Sequence, residues 1–230
     1  MSNLKYRHEN KYLCSLAEVA VLEQTLQAIM EIDKNVGEDG IYHIRSIYFD
    51  DINNACFYQN YDGVSHRAKW RIRAYNNNKD RIMLECKHKD YGMIRKESCS
   101  LTMEQFSYLI SDDYEVEICE DMPSLLKEFI CIRNVRHMSP KVIVGYDRRP
   151  FVCKEGNVRV TIDYDIFSCN DISDFFEDDL SKRFILHERQ QLLEVKFDEY
   201  IPDYIYQTIQ QRDMKRVTFS KYYLCRQLHP

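Results

Sequence analysis

The sequence predicts an α+β fold in which an eight-stranded antiparallel β-barrel carries helices packed on its outside. Segments with strict period-2 alternation recur along the chain, the spacing expected of a strand with two unlike faces. Most of these segments are separated only by short polar turns. The 17 Tyr and 11 Phe among 230 residues favour strands, and only 6 Gly and 5 Pro describe regular elements with few breaks.

The elements follow in order. Residues 4–13 read as a first strand. Ser15 then caps a helix running to about Met30, with Glu18 completing a capping box. Residues 41–49 (IYHIRSIYF) form a strand, followed by a short helical or irregular stretch to Tyr61 and a turn at Asp62-Gly63. Three strands come next, at about 66–75, 80–89 and 92–100, with polar turns at Asn76 to Asn78 and Asp90 to Gly92. Helical patterns occupy roughly 102–111 and 123–133, opened by Thr102 and Pro123. Strands return at about 141–149, 157–168 and 191–198, and helices near 201–210 and 218–227 close the chain. No repeat, low-complexity tract or linker interrupts this order, so residues 1–230 read as one domain.

Composition excludes several classes. A net charge of −5 argues against a general nucleic-acid or anionic-membrane binder. Nine cysteines, an odd number without a CxxC pair, offer neither a zinc site nor a disulfide framework and suit a reducing compartment. Met1 to Tyr12 is charged and lacks the apolar stretch of a signal peptide, and no apolar run approaches the ~20 residues of a membrane span. The expectation is a soluble, cytoplasmic protein.

The positions of the charges carry the functional argument. In HRAKWRIRAY, Arg67, Lys69, Arg71 and Arg73 share one face while Ala68, Trp70, Ile72 and Ala74 share the other. Four cations within about 20 Å repel one another unless an anion lies among them. One basic strand could simply be a solvated face, but the pattern recurs. Lys5, Arg7, Glu9 and Lys11 share a face, as do Glu85, Lys87 and Lys89; Arg159, Thr161 and Asp163 alternate with valines and an isoleucine, and Glu194, Lys196 and Asp198 with Leu193, Val195 and Phe197. A barrel has two surfaces. If helices cover the apolar one, the charged faces line the lumen. Unpaired buried charge costs several kcal/mol per ion, so a cationic lumen points to a bound polyanion. Arg forks and Lys ammonium groups suit phosphate oxygens. A hard cation, Mn²⁺ or Mg²⁺, would take oxygen ligands from Glu194, with Glu9 and Glu85 as neighbours, and from phosphates. Each glutamate has an alternative reading as a salt-bridge partner.

Eight stretches together resemble a known family: YRHENKY (6–12), IRSIYFDD (44–51), HRAKWRIRAY (66–75), LECKHKDYGMIRKES (84–98), VGYDRRPF (144–151), VRVTIDYDI (158–166), LLEVKF (192–197) and TFSKYYL (218–224). Any one is weak alone, but all occur in the expected order over nearly the whole chain. They resemble the VTC domain, the polyphosphate-polymerase branch of the CYTH-like triphosphate tunnel metalloenzymes. The resemblance implies a tunnel that binds triphosphate or polyphosphate with a divalent metal and transfers the γ-phosphate of ATP to a growing chain. The alternatives are a triphosphatase of the same fold and a non-catalytic polyphosphate-binding module. Carried over by motif, Arg71, Arg73, Lys87 and Glu194 would be catalytic. Phosphate contacts would fall on Lys11, Lys69, Lys96, Tyr146, Arg148, Arg159, Lys196, Ser220 and Lys221.

Two departures matter. The hydrolase branches carry Glu-x-Glu-x-Lys on the first strand, where this chain has Arg7-His8-Glu9-Asn10-Lys11. Thr218 stands where many VTC domains carry a lysine. No GxxxxGK[ST] loop is present, so ATP would not be held as in P-loop proteins. Tyr222 and Tyr223 read as core packing at helical spacing, and the acidic run Asp171 to Asp179 as a solvated loop or short helix.

Overall fold

A computed structural model of the protein describes residues 5–114, 118–210 and 214–229. Eight long strands are present: β1 (His8–Ser15), β3 (Tyr42–Asp50), β4 (Arg67–Tyr75), β5 (Ile82–Asp90), β6 (Met93–Leu101), β7 (Ser139–Cys153), β8 (Val158–Cys169) and β10 (Gln190–Phe197). They form one antiparallel path in the order β1-β10-β8-β7-β3-β4-β5-β6, while the two-residue strands β2 (Glu31–Ile32) and β9 (Arg183–Phe184) add to β7 and β8. The sheet curls until its ends meet. Arg7, just ahead of β1, and Ile94 of β6 exchange both backbone hydrogen bonds at 2.9 Å and close the seam.

The expected elements fall close to their observed places; residue 4 of the first strand lies outside the described residues. β7 continues to Cys153 instead of ending near 149. Pro150 has no amide to donate, yet Phe151 and Val152 find partners on both sides, in β8 and in the short β2. That extension was illegible in the sequence because it depends on a two-residue strand from a loop.

Helices α1 (Leu16–Ile29) and α3 (Met103–Ile110) open with capping boxes, Ser15 with Glu18 and Thr102 with Gln105. The other helices are α2 (Ala55–Tyr61), α4 (Ser124–Arg136), α5 (Asp203–Gln210) and α6 (Lys221–Gln227). The last begins three residues later than its pattern suggests, because Ser220 is its cap and accepts from the Tyr223 amide. The run from Asp171 forms a 3-10 turn, Ile172–Phe176, whose Phe175 is buried.

Two apolar cores lie outside the strands, between sheet and helices. In one, Trp70, Ile72, Leu84 and Cys86 meet Phe106, Phe129 and Ile130, with the Trp70 and Phe129 rings stacked at 4.9 Å. In the other, Val19, Leu22 and Leu26 of α1 cover Val160, Ile162, Leu193 and Val195. Since helices take the apolar faces, the alternate residues of every strand are left for the interior. No described helix is long and apolar enough to cross a membrane.

Candidate functional site: a cation-lined tunnel

The barrel encloses a cavity of about 630 Å³. Among its lining residues, fifteen are Lys or Arg and only four are Asp or Glu, in a chain whose net charge is −5. Of the residues anticipated from the sequence, Glu9, Lys11, Lys69, Arg71, Arg73, Lys87, Lys96, Tyr146, Arg148, Arg159, Glu194, Lys196, Ser220 and Lys221 all line it. Glu85 does not. It is 1% exposed behind the lining, where its carboxylate takes Arg71 Nε at 2.7 Å and Lys96 Nζ at 2.5 Å, with Arg73 Nη1 at 3.6 Å. The expected neighbourhood of three glutamates is therefore corrected to two, because the arginines of β4 engage Glu85 across the β4–β5 ladder, where Arg71 and Glu85 are register partners.

Glu9 and Glu194 do come together. Lys11 lies 3.4 Å from an oxygen of each, and Lys196 lies 3.5 Å from Glu9 and 2.5 Å from Glu194. Lys87 reaches across from β5 to Glu9 at 2.8 Å. Burial and mutual repulsion oppose ionisation of both carboxylates, yet Lys11, Lys87 and Lys196 hold Glu9 below the usual carboxylate range. Glu194 is lowered likewise against burial, through Lys196, Lys11 and Arg148. Burial, with crowding by Lys11 and Lys196, pulls Lys87 down to about 7 despite Glu9 beside it.

Further round the wall, Arg148 makes a two-point contact with Asp163, and Lys221 Nζ meets the same carboxylate at 2.5 Å. Burial opposes the Asp163 charge, but Arg148 and Lys221 lower its pKa. Asp163 was not among the anticipated site residues, although its alternation with Arg159 along β8 carried the signal. Tyr48 accepts from Arg71 at 2.8 Å, and Ser46 from Arg73 at 3.0 Å. Burial raises the pKa of Tyr146, but Arg148, Arg73 and Lys221 more than offset it and lower the phenol. Tyr222, read from its spacing as core, is 1% exposed and borders the cavity as well: it stacks on Tyr48 and lies 5.3 Å beneath Lys69.

The two ends of the tunnel differ in charge pairing. At the β4 start, Lys69 Nζ donates to Asn60 Oδ1 at 2.7 Å and Ser220 Oγ at 2.9 Å, and Arg67 Nη1 donates to the Val64 carbonyl at 2.8 Å. These acceptors are neutral. Burial, with Arg67, Lys87 and Lys11 nearby, holds Lys69 well below its usual range. At the other end of β4, Tyr75 stacks edge-on with Tyr42 and carries Arg81 over its ring at 5.8 Å, while Arg159 is matched by Asp33 at 2.6 Å and Arg7 by Asp198 at 2.8 Å.

The eight-stranded antiparallel sheet thus curls into a barrel whose interior carries the charged strand faces. The chain belongs to the VTC domain family, whose model matches residues 6–229. Among solved structures it is similar to a candidate adenylate cyclase from Bacillus halodurans, with a TM-score of 0.52 and 14% identity over 90% of this chain and 87% of that one. It also shows weaker likeness to the PH1819 protein from Pyrococcus horikoshii OT3, with a TM-score of 0.48 and 9% identity over 96% and 97%. For the Mimivirus capping enzyme triphosphatase the values are 0.42 and 11% over 91% and 87%. No curated protein matches the sequence.

Proposed function

We propose that this chain is a polyphosphate polymerase, which transfers the γ-phosphoryl group of ATP to the terminal oxygen of a polyphosphate chain held in the tunnel. The observation that carries the reading is the lumen, with fifteen Lys or Arg against four Asp or Glu around an enclosed space. Such a lumen is stable when a string of phosphates supplies the missing negative charge. Membership of the VTC domain family supports the same reading.

In the reaction the bond from Pγ to the β–γ bridging oxygen breaks, and a bond from Pγ to the terminal oxygen of the chain forms. ADP leaves with the electron pair of the broken bond. The attacking oxygen is already ionised, so no general base is needed. Arg71, Arg73 and Lys87 would neutralise the transferring group, and Lys11, Lys69, Lys96, Arg148, Arg159, Lys196 and Lys221 would hold flanking phosphates, assisted by Tyr146 and Ser220. Two ionised carboxylates facing the same cavity suit a hard divalent cation that completes its shell with phosphate oxygens. Among the described residues no group of three His, Cys, Asp or Glu could hold a metal without such help. Glu9 and Glu194 would hold Mn²⁺ or Mg²⁺, which supplies charge neutralisation at the phosphates when bound. An ATP donor and nine cysteines, an odd number without a CxxC pair, suit the cytoplasm.

Incubation of the purified protein with ATP and Mn²⁺ should yield a polyphosphate ladder on a gel together with ADP. Orthophosphate release without chain growth would replace this reading with a triphosphatase. Tight binding of tripolyphosphate without turnover under any metal would replace it with a binding module.

A further inference from the structure

Helix α1 turns an uncharged face to solvent. Its two charged residues are both drawn aside: Glu18 closes the capping box with Ser15, and Glu23 takes Arg149 at 3.1 Å and the Tyr164 hydroxyl. Val19, Leu22 and Leu26 point into the core. The exposed residues are Leu16, Gln24 and Gln27, the small Ala17, Ala20 and Ala28, and Val21. Beside α1, α5 adds Tyr204, Tyr206, Gln207 and Gln210, with Asp203 the one charge among its exposed described residues. In a chain with 30% charged residues, a solvated helix face would carry Lys and Glu at several of these positions. Exposed charges of both signs resume at the two ends of α1. Glu188 and Arg189 lie beside Leu16, whose amide donates to the Arg189 carbonyl at 3.2 Å, and Glu31 and Lys34 lie beside Ala28 across a shared hollow. An uncharged centre within a charged rim is the make-up of a protein–protein interface.

We propose that this face binds a second copy of the chain, α1 against α1, antiparallel about a two-fold axis at the level of Leu22. The i, i+4 row Leu16, Ala20, Gln24, Ala28 alternates larger and smaller side chains. Rows of this kind lie inclined about 26° to the helix axis, so two of them align when the helices cross at about 50°, the commonest packing angle. In an isologous pair residue i meets j while j meets i. Reversed on itself, the row sets Leu16 on Ala28 and Gln24 on Ala20, each larger side chain on an alanine of the other copy. No charge is buried by this contact, whereas two chains of net charge −5 repel elsewhere. Nucleic acid or an anionic membrane surface would need the cations that this face lacks. The face is smaller than the roughly 20–30 residues a side of a standard interface, so association is weak and depends on concentration. The proposal is independent of the reading of the tunnel.

Sedimentation of the full chain over about 5–500 µM tests the pairing. The wild type is expected to rise from 27.7 kDa toward twice that mass. Ala20→Glu and Gln24→Lys alter exposed helical positions away from the tunnel lining. Each should weaken association about tenfold or more, with an unchanged circular dichroism spectrum, because each buries an unpaired charge. An equimolar mixture of the two variants should dimerise again, since the introduced carboxylate of one copy then faces the introduced ammonium of the other. A wild type that stays at the monomer mass throughout, or dimers that survive both substitutions, would overturn the proposal. Monomers in the mixture would overturn the antiparallel pairing.

Discussion

Arg148 and Asp163 face each other as register partners on β7 and β8, joined at both ends: Nε to Oδ1 at 2.6 Å and Nη2 to Oδ2 at 2.8 Å. Asp163 is fully buried and also accepts from Lys221, so one carboxylate aims two cations at the tunnel. Asp163→Ala leaves both without a counter-charge. Breaking a buried pair in this way costs about 3–5 kcal/mol. A lowered urea midpoint is expected, partly restored by tripolyphosphate, which supplies the lost negative charge. A midpoint unaffected by the substitution would mean that the pair is not what holds this wall.

Glu85 gives the protein an acid sensitivity with a definite sign. Its folded pKa is held well below 4.5, against burial, by Arg71, Arg73 and Lys96. The unfolded chain therefore binds protons that the folded chain does not. The stabilisation is complete above the unfolded value and drains away as pH falls through the folded one. Glu85→Gln should lower the melting temperature at neutral pH and flatten its decline below about pH 4.5, read by thermal scans across pH. Parallel curves for variant and wild type would refute this.

Lys69 has the same sign with pH, but here the folded state disfavours the charge instead of holding it. Burial and like-charged neighbours depress its pKa, so over the interval between its folded value and 10.5 the unfolded chain binds the extra proton. Its contribution to stability rises with pH there, and below that interval its charge is a burden on the empty protein. A polyanion reverses the balance by favouring the proton. Lys69→Met should leave the empty protein as stable or more so at neutral pH while weakening tripolyphosphate about tenfold. Wild-type affinity should fall as pH rises through the Lys69 pKa, with proton uptake on binding detectable by calorimetry in two buffers. Equal heats in both buffers would remove Lys69 from the account.

Glu194→Gln separates binding from chemistry. It removes one of the two carboxylates that share Lys11 and Lys196. Metal-dependent turnover should drop about a hundredfold or more, and tripolyphosphate binding without metal should hold or improve, since a negative charge has gone. Unaltered turnover would take Glu194 out of the mechanism.

Much of this was legible before any coordinates. Period-2 alternation in HRAKWRIRAY assigns Arg67, Lys69, Arg71 and Arg73 to one face whatever the fold does with it, because that depends only on backbone geometry. The same rule groups Lys87 with Glu85 and Lys196 with Glu194. Pairing was not legible. That Glu85 serves Arg71 while Lys87 reaches Glu9, 78 residues away, depends on which strands become neighbours and on the Arg7–Ile94 seam. Asp33, in a loop without periodicity, finds Arg159 only through the docking of β2 on β7. Local sequence thus determined which side chains share a face. Tertiary closure decided that the charged face looks inward, since burying Val19, Leu22 and Leu26 of α1 against the apolar side left the ions no other surface.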